Sequence, residues 1–332
     1  MRTSYILILI YFILFRLFLI VIAYFIIKVM FEKTRSISFV KKEESKNIFT
    51  QIPAKNKELN RPLVIISAHY DSISTNLPFK VQVLIFFIYR LIVFFYAGII
   101  IVFSSIFLLD YFELVPLTNF TVIFITFSSI GGVFVSIPIV YLVFVERPSS
   151  GSIDNASGVA ILIELAKFIK RNPLENIDVL FLWCGAEEWG LKGSKKFLKQ
   201  HYKILKQKYD LNNSFNINID MVGTYIGLLN KKGILKIKIN RNLNDLLEAS
   251  ANNLNISLIK YNKIISPKSD HKSFQKLARK TRSNFQVGCF HSNKDSKYIH
   301  SLRDTPEKCS KENLNGCLNI CYHTLRKYDS SK

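Results

Sequence analysis

The sequence predicts an α/β protein, a three-layer sandwich around a mixed, mostly parallel sheet, to which three transmembrane helices are joined. Three observations lead there. Strand-like and helix-like segments alternate along the later part of the chain, as in a sheet whose crossovers are helices. Three stretches are nearly all apolar and long enough to span a bilayer. Residues that carry chemistry follow several predicted strands, and the carboxyl ends of strands are where open α/β sheets bind ligands.

The apolar runs come first in the chain. One extends from about Tyr5 to Met30; it is too long for a signal peptide and no small-residue cleavage site follows it. A second covers Val81 to Leu109 with Arg90 as its one charge, and a third covers Phe120 to Val145 with none. Core helices of soluble proteins seldom stay uncharged on every face for so long. The loop Asp110–Asn119 between them contains Pro116, so the second and third runs read as a helical hairpin. The expected organisation is a membrane anchor over 1–32, a hairpin over 81–146, and one soluble domain formed by 33–80 and 147–332.

Within the soluble domain, Pro62–Ser67 has the pattern of a buried strand and Ala156–Lys170 that of a helix, with Val159, Leu162, Ile163 and Ala166 on one face. Ile177–Cys184 reads as an apolar strand, Ser194–Lys208 as an amphipathic helix, and Phe215–Val222 and Ile234–Ile239 as alternating strands. Arg241–Leu254 is helical in pattern, Phe285–Phe290 strand-like, and Glu312–Tyr328 a closing helix.

The 332 residues carry a net charge of +21, which fits contact with an anionic surface or a Lys-rich proteome. No nucleic-acid-binding motif accompanies it, so no nucleic acid is expected as a partner. Five cysteines, Cys184, Cys289, Cys309, Cys317 and Cys321, lack zinc-finger spacing and are odd in number, against a disulfide scaffold. A bridge from Cys309 to Cys317 or Cys321 would need an exported domain, and buried thiols are the commoner outcome.

Five places hold the chemistry. His69 follows the strand Pro62–Ser67, with Asp71 two residues on to accept its second N–H; alone, the pair reads more readily as a satisfied structural histidine. Asp154 lies in Ser152-Ile153-Asp154-Asn155-Ala156-Ser157-Gly158, which opens a helix and otherwise reads as an N-cap. Glu187 and Glu188 directly follow a buried strand, where adjacent carboxylates repel unless a metal neutralises one and a proton the other. One would ligate and the other serve as general base. Asp220 sits among Ile219, Met221 and Val222, where a carboxylate without a counter-charge is costly. His300 has Asp304 four residues on. Together these supply two nitrogen ligands, three carboxylate ligands and a spare Glu, a set that suits two zinc ions about 3.5 Å apart.

The sequence thereby resembles metallopeptidase family twenty-eight, the co-catalytic zinc aminopeptidases, whose relatives include glutamate carboxypeptidase and glutaminyl cyclase. The resemblance rests on His69-x-Asp71, Asp154-Asn155-x-Ser157-Gly158, Glu187-Glu188, Asp220, Ser269-Asp270-His271-x-x-Phe274 and His300-x-x-x-Asp304-Thr305, and runs from about Leu63 to Tyr322. It implies a zinc-aminopeptidase-like fold and two Zn²⁺ per chain. Asp154 would bridge the ions, Glu188 and His300 complete one site, and His69 and Asp220 the other. Glu187 would be the general base, Asp71 would support His69, and Asp270 and His271 would edge the substrate pocket. The implied activity is exopeptidase hydrolysis of N-terminal residues from peptides. The alternatives are a glutaminyl cyclase-type acyltransferase or an inactive receptor on the same fold; three spans make a poor path for a transporter.

Two apolar runs stand where the family has a soluble loop between His69 and Asp154. An even number of spans keeps both residues on one side of the membrane, as a shared metal requires. Lys28, Lys33, Arg35, Lys41, Lys42, Lys80 and Arg147 lie on that side and none lies at the hairpin tip, which predicts a cytoplasmic catalytic domain. The Lys face of Ser194–Lys208 reads as solvated or as a contact with anionic headgroups. Arg16 and Arg90 find no acid in any run.

Overall fold

The computed structural model describes residues 44–74, 79–114, 130, 149–233, 237–238, 240–264 and 267–332. The chain divides into two units, Met1–Lys41 with Thr75–Arg147, and Lys42–Ser74 with Pro148–Lys332.

In the first unit the second apolar run forms a helix, α1 (Phe79–Tyr111). Leu84, Phe87, Phe94, Phe95 and Ile101 are among its exposed side chains. Among the described residues, no helix is long and apolar enough to cross a membrane. The expected first span lies outside the described residues, as does the third apart from residue 130, and the side chains of α1 are described only in part.

The second unit is a sandwich. Its strands are β1 (Ile48–Ile52), β2 (Leu63–His69), β3 (Asp178–Cys184), β4 (Phe215–Ile219), β5 (Gly227–Lys232), β6 (Ile237–Lys238), β7 (Ile259–Lys263) and β8 (Gln286–Phe290). The sheet order is β1-β3-β2-β4-β8-β5-β6, with β7 also paired to β5. β3, β2, β4 and β8 run parallel, and β1 closes one edge antiparallel to β3. β5 and β6 add antiparallel pairs at the other side. The sheet is therefore mixed and mostly parallel at its centre.

Parallel strands are covered on both faces, and successive side chains point to opposite faces. β2 follows both rules, since all seven of its residues are buried. Val64, Ile66 and Ala68 enter one core with α2 (Ser157–Arg171), α4 (Arg241–Asn253) and α6 (Lys311–Asp329). Leu63 and Ile65 enter another with α3 (Lys192–Lys208) and α5 (His271–Thr281). The three layers are thus helices, sheet and helices.

β1, β5, β7 and α5 have no counterpart among the expected segments. Four of the five β1 residues are exposed, so no hydrophobic alternation marks it. Of the expected strand Ile234–Ile239, only β6 is described. All five cysteines are free thiols, four of them buried.

Candidate metal centre

The central strands deliver the chemistry to one edge. His69 ends β2, paired in register with Cys184 at the end of β3. Glu187 and Glu188 lie in the loop after β3, and Asp220 follows β4 directly, its N–H bonded to the Phe290 carbonyl at 3.0 Å. Asp154 sits in the turn before α2, and His300 in the connection between β8 and α6. Ala186, Met221 and His300 have left-handed φ of 53°, 75° and 57°. Such backbone is uncommon outside glycine and gathers at functional sites.

The side chains meet in two groups that share Asp154. His69 Nε2 lies 3.1 Å from Asp154 Oδ1 and 3.4 Å from Asp220 Oδ1. His300 Nε2 lies 3.2 Å from Asp154 Oδ2 and 2.9 Å from Glu188 Oε1. Each group, His69–Asp154–Asp220 and Asp154–Glu188–His300, has ligand atoms close enough together to hold one metal ion. Asp154 turns one oxygen to each histidine, as a carboxylate bridging two cations does. All five expected ligands converge here.

Electrostatics points the same way. Burial would lower the pKa of His69, but hydrogen bonds to Asp154 and Asp220 and nearby carboxylate charge hold it well above its ordinary value. Burial likewise opposes protonation of His300, yet Glu188 and Asp154 push it up to about 10. Burial would raise the Asp154 carboxyl, but bonds to His300 and His69 hold it far below the usual range. Glu187, 6% exposed, is pushed well above the carboxylate range by burial and by the charges of Glu188, Asp270 and Asp220, against the opposing charge of His69. Burial also raises Glu188.

Buried Asp154, Glu187, Asp220 and Asp270, with partly buried Glu188, thus crowd around two imidazoles. Asp178, at the opposite end of β3, shows how this fold satisfies a buried carboxylate without a metal. It pairs with Arg61 at 2.8 Å and accepts from Ala54 N–H, Gln51 and Tyr209. Among the described residues, the ion pairs of Asp154, Asp220 and Glu188 are to histidine alone. Buried anionic charge of this kind calls for cations. The donor set of two nitrogens and three carboxylates fits a zinc pair.

The supporting residues do different work from that expected. His69 Nδ1 donates to the backbone carbonyl of Asp71 at 2.9 Å, while the Asp71 carboxylate lies 3.8 Å away. That carboxylate instead accepts the N–H groups of Glu187 at 2.9 Å and Glu188 at 3.1 Å. Asp71 therefore fixes the glutamate loop rather than the histidine ring through its side chain. The Asp304 carboxylate accepts the N–H groups of Ile153 at 2.6 Å and Asp154 at 3.3 Å, so it holds the Asp154 turn. Asp270 and His271, expected at the pocket edge, are fully buried. Asp270 lies beside Cys184 and Ser194, close enough for its charge to act on Glu187.

Asn155 and Ser157 have roles not expected from the sequence. The Asn155 amide donates to the Ile219 carbonyl at 2.9 Å, and its oxygen accepts from Met221 N–H at 3.1 Å and Gly158 N–H at 3.1 Å. Ser157 Oγ accepts from Val222 N–H at 3.0 Å. Together they tie the Asp154 turn to the Asp220 turn. A Cβ on Gly158 would stand 2.6 Å from the Ile219 carbonyl oxygen, so this close approach requires glycine. The signal was the Asp-Asn-x-Ser-Gly run, whose N-cap reading hid these longer contacts.

A family model described as Peptidase family M28 matches residues 136–325, more than half of the chain. The chain is similar to aminopeptidase YwaD of Bacillus subtilis (strain 168), 37% identical over 76 residues, which are 23% of this chain and 16% of that protein. Among solved structures it is similar to an aminopeptidase from Aneurinibacillus sp. strain AM-1, with TM-score 0.51 and 21% identity over 84% of this chain and 47% of that one. It is also similar to an Acidobacteriales bacterium glutaminyl cyclase, with TM-score 0.51 and 13% identity over 86% of this chain and 74% of that one. The structural likeness is one of fold. The chain spans less than half the length of the two aminopeptidases.

Proposed function

The chain belongs to peptidase family M28, and from that membership we propose that it is a zinc-dependent exopeptidase of the aminopeptidase type, acting on peptides, and from its apolar runs that it is membrane-anchored. The observation that carries the proposal is the pair of His–carboxylate groups sharing Asp154, each Asp154 oxygen turned to a different histidine.

In this reading His69, Asp154 and Asp220 hold one Zn²⁺, and Asp154, Glu188 and His300 hold the other. When bound, the two ions would supply Lewis-acid activation of water and of the scissile carbonyl. The chain's own residues do the rest. Glu187, buried among carboxylates, takes the proton of the attacking water and passes it to the leaving amine. Asp71 holds the Glu187 and Glu188 backbone, which sets where the base stands relative to the neighbouring ligand. Asp304 holds the Asp154 turn, and Asn155 holds the turn after Asp220.

The test is Glu187→Ala in the detergent-purified full chain, assayed on aminoacyl-amide substrates. Activity falls by about 10²-fold or more while bound metal is retained. An active variant would overturn the base assignment, and conversion of an N-terminal Gln peptide to pyroglutamate without peptide hydrolysis would favour the cyclase.

Membrane anchoring is supported by the three apolar runs and by exposed Phe87, Phe94 and Phe95 on α1, which water solvates poorly. Lys and Arg near the run ends support a cytoplasmic catalytic unit. Alkaline extraction of cell membranes should leave the chain in the pellet, and release into the supernatant would contradict anchoring.

A further inference from the structure

The two helical layers differ in charge. α3 and α5 together hold eleven Lys and Arg and no acid. Across the sheet, α2, α4 and α6 hold seven Lys and Arg with five acids. A Lys-rich composition acts on every helix alike, so it does not explain a layer without acids. Nor does folding: Lys195 and Lys199 stand one turn apart, as do Lys276 and Lys280, and like charges at that spacing destabilise a helix.

The basic groups also converge. A cleft of about 180 Å³ lies between α3 and α5. Exposed Lys195, Lys199, Lys276 and Lys280 surround it, and buried Leu198 and Leu277 line it. Lys280 Nζ stands 3.9 Å from the ring centroid of Tyr202, and Lys195 Nζ donates to the Gly190 carbonyl at 2.6 Å. Both contacts orient an ammonium group and leave its charge in place.

We propose that the outer face of α3 and α5 is a docking surface for anionic lipid, with a phosphate headgroup seated among Lys195, Lys199, Lys276 and Lys280. Charge complementarity is the basis: a one-signed face attracts an anionic bilayer surface. Tyr202 is the aromatic residue lining the cleft and carries Lys280 over its ring, so the cleft offers no run of aromatic faces for base stacking, which disfavours single-stranded nucleic acid. The choice of lipid rests on the membrane anchoring proposed above; the lysine cluster is independent of it and of the peptidase reading.

The experiment uses the full chain with phosphatidylcholine vesicles, with and without phosphatidylglycerol. Co-sedimentation with the neutral vesicles reads anchoring, and lysine acetylation by a water-soluble reagent reads docking. Lys195, Lys199, Lys276 and Lys280 should be labelled several-fold less on the anionic vesicles, while Lys167 on α2 and Lys327 on α6 do not change. The difference should vanish at high salt. In the variant K195Q/K199Q/K276Q/K280Q, which should keep its hydrolytic activity, protection of Lys203 on the same face should also vanish. Equal labelling on both vesicles overturns docking even where the chain co-sediments with neutral lipid. Protection of the four lysines on neutral vesicles by inorganic phosphate alone, or by single-stranded RNA, overturns the lipid assignment.

Discussion

The Asp71 carboxylate accepts two backbone N–H groups in the loop that presents Glu187 and Glu188. Charge-assisted bonds of this kind contribute about 1.5–3 kcal/mol each. Asp71→Ala is expected to lower activity by about 10–100-fold, with Asp71→Asn less affected because one oxygen acceptor remains. Equal loss in both variants, measured on protein with full metal content, would argue that charge rather than loop position matters. The two histidines give a pH prediction. In the metal-free protein both have raised pKa values, His300 at about 10, so both carry a proton at neutral pH. Zinc takes the neutral imidazole, so binding must release protons and strengthen as pH rises towards 10. Calorimetry of zinc binding in buffers of different ionisation enthalpy measures the release. The same shift makes His300 stabilise the metal-free fold fully below about 6.5 and progressively less as pH rises through 10. A metal affinity that does not change over this range would contradict the apposition of each histidine with two carboxylates.

Among the elements, α2 ties the core to the site: Leu162 and Leu165 are fully buried, its first turn carries Ser157 and Gly158, and Asn155 lies in the turn just before it. Leu165→Ala is expected to destabilise the fold by about 2–5 kcal/mol while leaving zinc content unchanged in the folded fraction. Gly158→Ala should do the reverse, with metal lost at modest cost in stability, because the Cβ meets the Ile219 carbonyl just before Asp220. Denaturant melts and zinc counts on the two variants separate the effects. The central strands and α2, α3, α4 and α6 were legible because their apolar residues repeat at one period over a whole element. β1 was not, since its partner β3 rather than its own side chains specifies it. α5 was missed because Phe274, Leu277 and Ala278 are few among lysines. The convergence of His69, Asp154, Glu188, Asp220 and His300 was legible because ligand chemistry restricts residue type and order. The tasks of Asp71, Asp304 and Asn155 were not, because each bonds backbone groups that only the folded turns bring close.

At the scale of the molecule, one end of the sheet collects carboxylates and histidines, and one helical layer collects lysines. Both are costly to the fold alone. The anionic end calls for divalent cations, and the family supplies the chemistry that such a pair performs. The central claim is that His69, Asp154, Glu188, Asp220 and His300 hold two zinc ions with Asp154 between them. The most direct test counts zinc by native mass spectrometry in the detergent-purified full chain, unchanged and with Asp154→Ala. Two zinc ions per chain, both lost or severely weakened in the variant, are the expected result. A wild-type chain that binds no zinc, or an Asp154→Ala chain that keeps both ions, would contradict it.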